Sequence, residues 1–159
     1  MSIDKPIVAI LQHERTEPGG LFVDYFGECG IDLLQLPLYE TNEVPPLHAT
    51  HLIIMGGPMS VNDEREFPWL ITEKQIIRDW VVEGRPIFGI CLGAQLIASS
   101  FGAAVYPCKK ELGWTSVNTT KNELFPELPG IFNVFQMHGE TFDIPEAGML
   151  VFRGEEVPN

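Results

Sequence analysis

The sequence predicts an α/β protein built on an open, mostly parallel, twisted sheet with helices on both faces. Three observations carry that prediction. Short apolar runs of strand length alternate with stretches of helical periodicity from residue 6 to residue 102, and such alternation implies crossover units and a parallel sheet. Glycine or proline punctuates the junctions. The chain has 159 residues, enough to bury a core of its own, and is expected to form a single domain over 1–159.

The elements follow in order. "PIVAILQ" (6–12) predicts the first strand, and "LFVDYFGEC" (21–29) a helix stopped by Gly30. "IDLLQLPL" predicts the second strand, and "HLIIMGGP" (51–58) a buried third strand running into a glycine turn. "PWLITEKQIIRDWVVEG" (68–84) opens with proline and closes with glycine, with Leu70, Ile77, Trp80 and Val81 sharing one face. "RPIFGI" is the expected fourth strand, leading into the helix "LGAQLIASSFG". After Gly102 the texture changes: "AAVY", "GWTSVNTT", "IFNVFQM" and "MLVFR" read as four strands joined by turns. No internal repeat, linker or low-complexity tract interrupts the chain.

Composition bounds the function. Hydrophobic residues make up 45% and charged residues 20%, as in globular domains. No apolar run approaches a membrane span, and the amino terminus has no cleavable signal pattern. Ten basic residues against 22 acidic ones give a net charge of −12, which disfavours nucleic acid and anionic membranes as partners. The cysteines at 29, 91 and 108 are odd in number with no C-x-x-C pair, which suits a reducing cytoplasm, with no structural zinc and no other metal or cofactor expected.

The candidate site lies in "GICLG". Cys91 falls between a strand's carboxyl end and the next helix, where open α/β proteins bind ligands. Gly89 and Gly93 permit the cramped backbone of a nucleophile elbow, and a helix amino terminus favours a thiolate. Cys108, beside Lys109 and Lys110, lacks the elbow and reads as a loop residue, and Cys29 as core. The acidic "NDERE" (62–66) reads as helix-dipole partners or as a lid.

"GICLGAQLIA" resembles the nucleophile motif G-[IV]-C-x-G-x-Q of class I glutamine amidotransferases. "IIMGGPMSV", "ELGWTSV" and "FQMHGETFDIP" are similar to that family's oxyanion strand, elbow-facing hairpin and glutamine-side strand, in the same order. The resemblance is nearest to stand-alone GMP-synthase-like amidotransferase domains, and it implies a flavodoxin-like sheet. By resemblance, Cys91 would attack the side-chain amide of glutamine, forming a γ-glutamyl thioester and releasing ammonia. The backbone N–H groups of Gly57 and Leu92 would hold the oxyanion. Gln95 would contact the substrate, and Met137, His138 and Gly139 would meet its amino-acid head, Met137 through its backbone. Read alone, Gly56-Gly57-Pro58 also fits an ordinary turn, and Gln95 a solvent-facing helix position.

The family takes its base from an H-x-E motif beyond the "HGETF" region, and no further H-x-E follows that region in these residues. The expectation is therefore a carboxy-terminally incomplete family domain, with His138 structural or at the substrate pocket rather than catalytic. The implied partners are glutamine or a γ-glutamyl compound and an unidentified synthetase that accepts ammonia. A γ-glutamyl peptidase, or a catalytically dead relative that acts as a binding module, are the alternatives.

Overall fold

The four apolar runs become the strands β1 (Ile7–Gln12), β2 (Asp32–Pro37), β3 (His51–Ile54) and β4 (Ile87–Gly89). All neighbouring pairs run parallel, in the order β2-β1-β3-β4. The computed structural model describes residues 5–41, 43–120 and 122–157. They fall into two compact units, one within residues 1–100 and one within 101–159.

In the first unit, side chains alternate across the sheet as the strand period requires. Val8, Ile10, Ile53 and Met55 form a buried cluster on one face, covered by Phe22, Val23 and Phe26 of α1 (Leu21–Glu28). Leu11 and Ile54 point the other way and are fully buried; α4 (Leu92–Ser100) lies on that face, with α3 (Trp69–Val82) packed on α4. Helices thus lie on both faces. Cover on the α1 side stops short of β4, where Phe88 is exposed and an apolar groove of about 360 Å³ runs past Phe22, Phe26 and Ile53.

The turns away from α1 and α3 follow from single glycines. α1 ends at Cys29, after which Gly30 takes φ +67° while the Ile31 N–H donates to the Phe26 carbonyl. α3 ends in the same way, with Gly84 at φ +70° and the Arg85 N–H donating to Trp80. A residue with a Cβ is strained in this left-handed conformation, so glycine marks each stop. The cap exposes Cys29 instead of burying it as expected. A short helix α2 (Leu38–Thr41) follows β2 directly and buries Leu38, an element that the apolar pattern had folded into the strand.

In the second unit, β5 (Val105–Thr119), β6 (Ile131–Phe142) and β7 (Phe152–Gly154) form an antiparallel sheet in the order β6-β5-β7. The two strands expected at "AAVY" and "GWTSVNTT" are one. Between them β5 advances from Pro107 to Glu111 while β6 advances only from Glu140 to His138. Such a bulge absorbs extra residues without ending the pairing. Leu112 pairs with Met137 and Trp114 with Phe135, and these four side chains form an exposed apolar stripe.

The backbone of α4 approaches the sheet closely at Gly93. A Cβ on Gly93 would lie 2.2 Å from the Ile54 carbonyl oxygen, whereas one on Gly27 of α1 would meet nothing within 4 Å. Gly93→Ala is therefore expected to destabilise by about 1–3 kcal/mol through overpacking, and Gly27→Ala to stabilise by up to about 1 kcal/mol through helix propensity. Urea unfolding of the two variants beside the parent checks both signs.

Candidate active site

Cys91 stands where β4 turns into α4. The Ile90 N–H donates to the Ile54 carbonyl at 2.9 Å, the Gly93 N–H to Ile90 at 2.8 Å and the Gln95 N–H to Cys91 at 3.0 Å, so the helix begins immediately beyond the strand. The turn is tight enough to force Cys91 to φ +51°, the one positive φ at a non-glycine among the described residues. For an L-residue that conformation costs roughly 1–2 kcal/mol. Glycines on both sides make it feasible: a Cβ on Gly89 would lie 2.5 Å from the Gly93 carbonyl. The strain holds the cysteine side chain at the surface, where Cys91 is exposed.

β3 and β4 are neighbours, so the glycine turn after β3 emerges beside the elbow. A Cβ on Gly56 would stand 3.6 Å from Cys91 Cβ, and one on Gly57 2.9 Å from a Leu92 methyl group. Leu92 is fully buried, and Gln95 is buried as well, not solvent-facing. The structure thus brings Gly57, Cys91, Leu92 and Gln95 together. It adds a residue that the motif reading passed over. The Glu17 carboxylate reaches the same turn, 2.5 Å from where a Gly56 Cβ would be.

His13 was also passed over, and so was its partner. It follows β1 and is buried with Glu73 of α3, its Nε2 lying 3.0 and 3.2 Å from the two carboxylate oxygens. Its Nδ1 lies 3.1 Å from the Met55 carbonyl and 3.2 Å from that of Gly56. The ring stacks on Trp69 with centroids 5.3 Å apart. Burial pulls the His13 pKa down, but the Glu73 hydrogen bond and charge, with the two carbonyls, outweigh it and hold the pKa above the ordinary histidine value. One sequence signal pointed to this pair: Glu73 interrupts the apolar stripe of Leu70, Ile77 and Trp80. The acidic stretch has a similar anchor, since the Lys74 ammonium donates to the Val61 carbonyl and to Glu64.

The remaining expected site residues belong to the second unit. Met137 and Gly139 are exposed on β6 and flank His138. His138 Nε2 lies 3.0 Å from Glu111, and its Nδ1 lies 3.1 Å from the Glu140 carbonyl and 3.8 Å from Cys108 Sγ. Cys108 is half-buried, and burial followed by the charges of Glu111 and Glu140 pushes its thiol pKa up. Cys108 lies within β5 rather than in the loop expected for it.

An exposed cysteine at a strained strand-to-helix turn, on the carboxyl edge of a parallel sheet of order 2-1-3-4, defines a nucleophile-elbow protein of flavodoxin-like topology. The chain belongs to the class I glutamine amidotransferase family, whose profile, Glutamine amidotransferase class-I, matches residues 20–155. It is 32% identical over 123 residues to the glutamine-hydrolyzing GMP synthase of Streptococcus mutans, covering 74% of this chain and 22% of that protein. It is 31% identical over 120 residues to the glutamine amidotransferase-like protein YfeJ of Salmonella typhimurium, covering 72% of this chain and 50% of that one. The chain therefore spans between about a fifth and a half of the length of these relatives. Among solved structures, a glutamine amidotransferase from Thermotoga maritima superposes with a TM-score of 0.90 at 33% identity, covering 98% of this chain and 70% of that one. One from Methylobacillus flagellatus gives 0.88 at 30%, covering 98% and 64%.

The strain at Cys91 is measurable. Cys91→Gly and Cys91→Ala both remove the exposed thiol, but only glycine relaxes at φ +51°. Cys91→Gly is expected to be the more stable of the two by about 1 kcal/mol, after the larger unfolded-state entropy of glycine is deducted. Paired thermal melts read that difference.

Proposed function

We propose that this chain is an amidase that hydrolyses the side-chain amide of glutamine through Cys91 and yields ammonia for a partner enzyme. The observation that carries the reading is the strained Cys91 elbow set beside the Gly56-Gly57 turn. Family membership supports it, and so do relatives whose names include glutamine hydrolysis. The match over residues 20–155 runs through both compact units, which supports treating them as one domain.

In this reading the Cys91 thiolate attacks the amide carbon, and the N–H groups of Gly57 and Leu92 receive the oxyanion. The C–N bond then breaks, the leaving nitrogen takes a proton and departs as ammonia, and a γ-glutamyl thioester remains. Water hydrolyses the thioester to glutamate and restores the thiol. Gln95, buried one turn into α4, orients the substrate.

The proton relay is the demanding part. His13 has acceptors on both ring nitrogens, and His48 and His51 lie at the amino end of β3, opposite the elbow. Both ring nitrogens of His138 are engaged by Glu111 and Glu140. These placements favour a second reading, in which the site binds a γ-glutamyl ligand and forms the thioester but turns it over slowly. Missing acid–base help typically costs roughly 10² to 10⁴ in rate.

A diazo-ketone analogue of glutamine separates the cysteines. Cys91 is expected to be modified first, ahead of exposed Cys29, which has no elbow, and of Cys108, whose thiol pKa is raised. Peptide mass mapping reads the order, and preferential labelling of Cys108 would sink the assignment. Ammonia release measured on the same protein then decides between full turnover and the slow second reading.

A further inference from the structure

We propose that the buried His13–Glu73 pair is a positioning dyad that holds the Gly56–Gly57 peptide in one orientation and thereby aims the Gly57 N–H at the Cys91 elbow. The proposal deepens the amidase reading and rests on it for the role of that N–H.

Neither nitrogen of His13 faces a donor. Nε2 meets the Glu73 carboxylate at 3.0 Å, and Nδ1 meets the Met55 and Gly56 carbonyls at 3.1 and 3.2 Å. Against an ionised Glu73, a neutral imidazole, with one N–H and one lone pair, would press that lone pair against an acceptor. An imidazolium donates from both nitrogens and satisfies every partner. Its charge is answered by Glu73, whose side chain is 0% exposed, and by the face of Trp69 stacked on the ring. Both come from α3. Lys74, next on that helix, is turned to Val61 and Glu64, and Glu17 is the other charged group at the glycine turn.

The consequence follows from peptide geometry. In a trans peptide the C=O and N–H point in opposite directions. Holding the Gly56 oxygen on the His13 side therefore turns the Gly57 N–H to the other side of the plane. Glycines on both sides make rotation of that plane cheap, so the local chain does not fix it. Gly56 borders the elbow, with 3.6 Å from its Cβ position to Cys91 Cβ. A flip of this one peptide would present a carbonyl oxygen where an oxyanion must sit. The His13 side chain is a hydrogen-bond partner of that carbonyl.

The charge state gives the proposal a sign. The folded-state pKa of His13 is raised above the ordinary histidine value, so the latch is closed below that ordinary value and opens as pH rises through the raised pKa. Glu73→Gln removes the countercharge and moves the opening to lower pH.

Nitrogen-resolved NMR of the parent protein tests this without any substitution. Both imidazole nitrogens of His13 are expected to be protonated up to and beyond the ordinary histidine pKa, and the Gly57 amide resonance to shift as His13 loses its proton. Two reagents then read the site. The diazo-ketone analogue of glutamine places a carbonyl in the oxyanion site, whereas iodoacetamide alkylates a thiol by direct displacement. In Glu73→Gln above its transition, and in His13→Ala, labelling of Cys91 by the analogue should fall about 10²-fold, the effect of losing one oxyanion donor. Iodoacetamide labelling at the same pH should hold near the parent rate, which a general loss of structure would not permit. A His13 that loses its proton below the ordinary histidine pKa, a Gly57 amide that ignores the titration, or equal losses with both reagents would each overturn the dyad. Should iodoacetamide modify the parent Cys91 while the analogue fails at every pH, the amidase reading falls, and the Gly57 titration still decides the latch.

Discussion

The start of α4 rests on the sheet with no side chain between them. Gly93 touches the backbone at Ile54, and Gly89 touches Gly93 in turn, at distances that no Cβ could occupy. Interiors pack at crystal-like density, so a single added methyl group here would have to lift the helix. Because the helix sits so low, the chain between β4 and α4 has only Ile90 and Cys91 with which to reverse its direction. Cys91 takes the left-handed conformation as a result, Leu92 and Gln95 are drawn beneath the surface, and the neighbouring glycine turn finds the elbow alongside it. Site geometry and helix packing are one constraint.

Beneath that surface lies an interaction of a different kind. A buried ion pair is not in general more stabilising than apolar residues of the same volume, because desolvation offsets most of the attraction. Glu73 nevertheless occupies a place in the stripe of Leu70, Ile77 and Trp80 where another leucine would pack. What an apolar pair could not do is donate hydrogen bonds to the carbonyls of Met55 and Gly56. The pair is best understood by what it holds, and the residues it holds are those beside Cys91.

Much of the first unit was legible in the sequence because the deciding features are local. A buried strand needs an apolar run, a helix stop needs Gly30 or Gly84, and an elbow needs glycine two residues to either side of Cys91. Each can be read within ten residues. His13 and Glu73 are 60 residues apart, and nothing near either one names the other; only the misplaced charge in the α3 stripe hinted at a partner. The continuity of β5 was hidden for a related reason. Pro107, the two lysines and Gly113 look like a turn, yet pairing to β6 carries the strand through them. Gln95 remained ambiguous until the depth of α4 was known, since helical periodicity alone places it on neither face.

The apolar stripe of Leu112, Trp114, Phe135 and Met137 runs along a hairpin whose outer strand, β6, closes one side of its sheet. A long edge strand and an exposed apolar face are together the usual ingredients of chain-to-chain association. Every copy of the chain also carries a net charge of −12. In dilute buffer that repulsion keeps copies apart at a range well beyond any contact between stripes. At 1 M salt the range shrinks to about 3 Å, shorter than the reach of the side chains themselves. The colloidal behaviour of this acidic protein is thereby tied to ionic strength: added salt weakens the charge repulsion that opposes contact between stripes.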